Sequence, residues 1–185
     1  MGRVGQATAW LSLSTLRGSV LLVQVRDMVF SGDAKLRTID FKITLTAAVD
    51  VTFGDTKEGA FAIRLNDAFT ERKGAKIVDA DGRVAMAQVW GKRSNWVDYT
   101  ADVDGEKLGV AIFDAAANPR HPTYWHARDY GLFALNPFGR NAFDPKQEES
   151  EWKLPAGQKV VFLWRVVIHP ADADVAAMYK EFTGK

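Results

Sequence analysis

The clearest pattern in the chain is a strict alternation over residues 35–47, where Ile39, Phe41, Ile43 and Leu45 take one face and Asp40, Lys42, Thr44 and Thr46 the other. A period of two predicts a strand with one face against a core. Residues 19–30 mix Val20, Leu22, Val29 and Phe30 with Gln24, Arg26 and Asp27, and Ser31, Gly32 and Asp33 follow with the chemistry of a tight turn. The two runs together predict an antiparallel hairpin. Over residues 158–169 both faces are largely apolar, Val160, Phe162, Trp164, Val166 and Ile168 on one and Val161, Leu163, Arg165 and Val167 on the other. That strand is expected to be central and covered on both sides. Shorter strands are predicted at 50–53, 59–65, 84–90, 95–100, 107–114 and 131–135, with Gly, Asp or Pro between most of them. One helix is predicted, over 173–182, where Val175, Met178, Tyr179 and Phe182 recur at helical spacing behind Asp172 or Asp174 as the cap. The expectation is a mostly β chain, an antiparallel β-sandwich with one C-terminal helix, forming one domain over 1–185.

Composition narrows the partners. With 24 Lys plus Arg against 23 Asp plus Glu the formal charge is +1, so no global field draws the chain to nucleic acid or to a membrane surface. There is no cysteine, which removes disulfides, thiolate ligands and a thiol nucleophile and leaves cytoplasm and periplasm equally open. In the first 25 residues Arg17 and Gly18 interrupt the apolar stretch that begins at Trp10, so neither a signal peptide nor a membrane helix is expected.

Residues 115–129 carry no regular pattern but hold unusual chemistry: His121 and His126 beside Arg120, Tyr124, Trp125 and Arg128. A long ordered loop is usually functional, and histidine serves as acid, base or metal ligand near neutral pH. Lys57 and Glu58 lie in a glycine-bounded turn. Glu58 and His126 would supply an acid and a base, with Arg128 steadying negative charge. The plainer alternative is that the histidines satisfy loop backbone and that Lys57 and Glu58 are solvated. Trp90, Trp96, Tyr99, Tyr124 and Trp125 would offer stacking faces for sugar rings or simply fill a core, and Lys92, Arg93 and Asp98 beside them would bond hydroxyls or a carboxylate. Asn136 opens a turn through Pro137 to Gly139, at which a positive φ is expected, that would shape a pocket wall. For a divalent metal ion the sequence offers one ligand set, His121, His126 and Glu58. His169, ending the last strand, is read as structural, and no phosphate loop, nucleotide fingerprint, nucleophile elbow or zinc-peptidase motif occurs.

Several of these peptides occur in a distinctive order: GDTKEG at 54–59, WGKRSNWVDY at 90–99, GVAIFD at 109–114, NPRHP at 118–122, WHARDYG at 125–131 and NPFG at 136–139. In this order they resemble the PmoA-like family of uncharacterised bacterial proteins, from about residue 35 onward, with 1–34 matching less well. The resemblance implies a mutarotase-like supersandwich, a fold common among carbohydrate-active proteins. It also implies a chain shortened at its N-terminus, with an open sheet edge that would make it a homo-oligomer or a protomer whose missing strands come from elsewhere. The family label alludes to a membrane copper protein, but nothing here spans a bilayer, so the label transfers no reaction. The expectation is an enzyme acting on a glycoside or sugar acid through His126, Glu58 and Arg128, with Trp125, Tyr124, His121, Arg120, Lys57, Lys92, Arg93 and Asn136 binding the ligand. The rival is a non-catalytic carbohydrate-binding or interaction module, and a third option is a metal-dependent oxidase or hydrolase using the two loop histidines.

Overall fold

The alternating segments become neighbours in one large sheet. The computed structural model describes residues 1–11 and 20–184, so the interruption at Arg17 and Gly18 lies outside the described residues. The chain begins with β1 (Gly2–Leu11), β2 (Val20–Gly32), β3 (Arg37–Ala47), β4 (Val51–Phe53), β5 (Phe61–Arg64) and β6 (Lys76–Asp79). A single helical turn, α1 (Met86–Val89), precedes β7 (Trp96–Val103), β8 (Glu106–Asp114), β9 (Tyr124–Ala127) and β10 (Leu132–Asn136). The final elements are β11 (Trp152–Leu154), β12 (Lys159–Pro170) and α2 (Val175–Thr183).

Seven strands pair antiparallel in the order β1-β2-β3-β12-β8-β7-β6. A three-stranded sheet, β5-β10-β9, and the pair β11-β4 form a second, smaller layer. The predicted alternation is realised: Ile43 opposes Phe162 and Leu45 opposes Val160 on the covered face, while Lys42 opposes Leu163 and Asp40 opposes Arg165 on the other. Between the layers, Ile43, Ile77, Val97, Ile112, Phe162 and Trp164 of the large sheet meet Phe61, Trp125, Phe133 and Leu135 of the small one. The contact is heavily aromatic, with Phe61 stacked on Trp164 at 5.1 Å and Tyr99 tilted against Phe133 at 4.5 Å. Each large side chain so buried contributes about 1.5–3 kcal/mol relative to an exposed one.

The far face of the large sheet is covered in part by α2, whose Val175, Met178, Tyr179 and Phe182 lie on Ala111, Phe113 and Val167. Of the two caps considered, Asp174 is the one used, its carboxylate accepting the Ala177 N–H at 2.9 Å. The central strand β12 is therefore covered on both sides only along its second half, and Leu163 stays 37% exposed.

Three expectations change. The segment 84–90 is no strand: the Met86 N–H is capped by the Glu71 side chain at 2.9 Å and fully buried Val89 anchors the turn α1. Strands β1, β6, β9 and β11 had no counterpart in the pattern. Gly139 is required for space and not for a positive φ, since a Cβ there would lie 2.6 Å from the Thr56 carbonyl oxygen and 2.6 Å from the Phe143 ring. No helix among the described residues is long and apolar enough to cross a membrane.

Candidate functional site

The unpatterned loop is ordered by one buried carboxylate. Asp114 ends β8 with no exposed surface and accepts five hydrogen bonds: from Asn118 Nδ2 (2.7 Å), Trp164 Nε1 (3.1 Å), His121 Nδ1 (2.9 Å), and the Thr123 N–H and hydroxyl (3.0 and 2.8 Å). A carboxylate taken out of water needs partners of this number. Asn118 then carries on the strand pairing by side chain, its Nδ2 donating to the Leu163 carbonyl and its Oδ1 accepting the Leu163 N–H, each at 2.7 Å. Because carboxylate oxygens only accept, His121 holds its proton on Nδ1 and turns Nε2 outward, in the orientation a general base needs. The ring is 15% exposed and opens on a cleft with Asn95, Trp96, Tyr179 and Lys180.

His126 is placed differently. On β9 its side chain is 5% exposed, donates from Nδ1 to the Lys57 carbonyl at 3.1 Å, and meets Trp90 and Phe143 edge-on. Asn136 works beside it: Nδ2 donates to the Thr56 and Glu58 carbonyls at 2.7 and 3.0 Å, and Oδ1 accepts the Phe138 N–H at 2.8 Å. These two side chains clamp the 54–59 loop by its backbone. Asn136 spends its hydrogen-bonding groups on main chain, so the ligand contact expected of it gives way to a fold-holding one. The Glu58 side chain turns away, 69% exposed, and pairs with Lys57 at 3.3 Å. Arg128 lays its guanidinium over Trp90 and Tyr130 at 5.9 and 5.4 Å. Lys92 is exposed, its charge acting on Asp144.

Two expectations are overturned by position. Trp125 cannot stack on a ligand, because it is fully buried against Phe133 and donates Nε1 to the Ser94 carbonyl at 2.8 Å. His121, His126 and Glu58 do not converge: one histidine is held by Asp114, the other by the Lys57 carbonyl, and Glu58 faces solvent. No group of three such ligand residues is gathered among the described residues.

The structure does bring together Arg93, Arg120 and Tyr124, and adds a residue that the sequence did not single out, Arg140. These line a cleft of about 480 Å³ with Gln147 and Ser150. Arg120 is fixed by bonds to the Pro137 and Glu151 carbonyls, both 3.1 Å, and lies over Trp152 at 5.5 Å. Arg93 donates to the Pro122 carbonyl at 2.7 Å and sits 5.8 Å above the Tyr124 ring, whose other neighbour is stacked Phe143. The third wall depends on Asp55, which accepts the backbone N–H groups of Arg140, Asn141, Ala142 and Ser150 at 2.9–3.0 Å. Burial alone would raise the Asp55 pKa, but these four donors outweigh it and hold the carboxyl below its usual range. Burial also depresses the Arg120 pKa; the Asp55 charge opposes that shift and the Arg140 charge adds to it. Among the described residues, Arg93, Arg120 and Arg140 have no carboxylate within ion-pair distance of their guanidinium groups. Asp55 and Asp114 escaped the sequence reading, although a lone acid closing the apolar run GVAIFD is a legible sign of a buried carboxylate.

Comparison with curated proteins returns no match. A family match runs over residues 1–183. It therefore takes in residues 1–34 as fully as the later peptides, and nothing in it refers to PmoA. On that match, the chain belongs to a family of unknown function (DUF6807).

Proposed function

We propose that the chain binds a sugar acid, a carbohydrate bearing a carboxylate, in the cleft of Arg93, Arg120 and Arg140. The observation that carries this reading is the gathering of three guanidinium groups, unpaired with carboxylates among the described residues, on one concave surface. Planar guanidinium forks match a carboxylate bidentately, and the remaining lining, Tyr124, Gln147 and Ser150, suits ring and hydroxyl contacts. The volume lies within the ~300–1,000 Å³ typical of small-ligand sites. Calorimetric titration with galacturonate and with galactose tests it: the acid is expected to bind and the neutral sugar to bind at least tenfold more weakly, a difference of about 1.4 kcal/mol or more. Arg140→Ala, an exposed position, and Arg120→Ala are each expected to weaken the acid about tenfold with the circular dichroism spectrum unchanged. Equal binding of acid and neutral sugar would sink the reading.

The second reading, an enzyme acting on a glycoside or sugar acid, draws support from His121 more than from His126. His121 alone combines a carboxylate-oriented ring with an outward Nε2. Loss of turnover in His121→Ala with ligand affinity kept within about tenfold would favour catalysis; unchanged turnover would remove it.

A further inference from the structure

We propose that the free edge of β1 pairs antiparallel with β1 of a second copy of this chain, about a two-fold axis through Gln6, joining the two large sheets into one. The large sheet ends in two very different edges. At the β6 edge only four residues are involved, two of them charged, and Val84 bridges to Val78 beyond the strand. Short, charged and partly covered edges resist pairing. The β1 edge is ten residues long, has no proline, and among the described residues pairs with β2 on one side alone.

Its charge pattern suits a copy of itself. Arg3 is the only charged side chain in β1, and it is neutralised by Asp27 of β2 at 2.9 Å. A charged peptide would find nothing complementary along this edge. In a two-fold alignment about Gln6, Arg3 falls opposite Ala9, Val4 opposite Thr8 and Gly5 opposite Ala7, so no like charges meet. The hairpin that carries this edge also projects beyond the second layer: residues 2–9 are exposed, and Val4, Val23, Val25 and Phe30 are 49%, 37%, 41% and 39% exposed. Strand β1 is wet on both faces over residues 2–9, and pairing its free edge supplies the neighbour that β2 gives it on the other side.

Sedimentation equilibrium of the whole chain over a wide concentration range tests this, and a reversible monomer–dimer equilibrium is expected. Gln6 is exposed, so its substitution leaves folding intact. Gln6→Glu and Gln6→Lys should each weaken the dimer severalfold by bringing identical charges together on the axis, and an equimolar mixture of the two should restore association. A wild-type monomer at every concentration, a dimer indifferent to both charges, or a mixture no tighter than either variant alone would each overturn the pairing.

Discussion

Two histidine–carboxylate pairs hang on the same sheet and behave as opposites. His169 of β12 bonds Asp98 of β7 through Nε2 at 3.0 Å, and His121 bonds Asp114 of β8 through Nδ1 at 2.9 Å. In the first pair the imidazole is the sealed member, fully buried over Gly109, and its carboxylate has a sliver of surface. In the second the carboxylate is sealed and tied by four further bonds, while the imidazole reaches a cleft. A similar bond length therefore says little about role. What separates a fold-holding histidine from one available to a ligand is which partner is out of water and how many other donors the carboxylate has.

The second pair is most vulnerable at Asp114. Asp114→Ala strands the donors of Asn118, Thr123 and Trp164 together with His121, and a loss of about 3–5 kcal/mol is expected in urea denaturation; a loss under about 1 kcal/mol would mean that the five bonds do not hold the loop. The sealed pair is probed next by Gly109→Ala. An added Cβ would lie 2.1 Å from His169 Cε1, so a destabilisation of about 1–3 kcal/mol is expected, with sugar-acid binding unchanged. The smallest effect is pH dependence. Burial alone would lower the His169 pKa, but the bond and charge of Asp98, with the Pro170 carbonyl, raise it above the usual 6.5. The folded state thus holds this proton more tightly than the unfolded one. Its stabilisation is fully present below the unfolded pKa and is lost as pH rises through the raised folded value. The urea midpoint should fall across that window, and Asp98→Asn should flatten the fall. A midpoint that stays level in the wild type would remove His169 as a proton-linked stabiliser.

The parts of the fold legible in the sequence are those where one physical pressure acts alone. Residues 37–47 alternate because one face meets the core and the other does not, and α2 shows its stripe because a single side is buried. Strand β1 left no such trace, since both of its faces are wet and nothing selects apolar residues at every second position. Strand β9 was hidden by its brevity and by a histidine, a tyrosine and a tryptophan that looked like site chemistry; in fact the alternation was there, with Trp125 and Ala127 in the core between the layers and Tyr124 and His126 on the opposite face, packed on Phe143. The site divides in the same way. Arg93, Arg120 and Tyr124 stood out by local density, whereas Arg140 sits alone in sequence and reaches the cleft only because Asp55, far away in the chain, gathers the backbone after β10. Composition can flag a residue, but it cannot supply a meeting place made by topology.

The 54–59 loop shows how such a meeting place can change over time. Asn136 and His126 grip it by the carbonyls of Thr56, Lys57 and Glu58, and every residue carries a carbonyl. The path of the loop is thereby uncoupled from the identity of the exposed side chains along it. Residues 57 and 58, both exposed, can therefore be rewritten by mutation without redrawing the path of the loop that displays them.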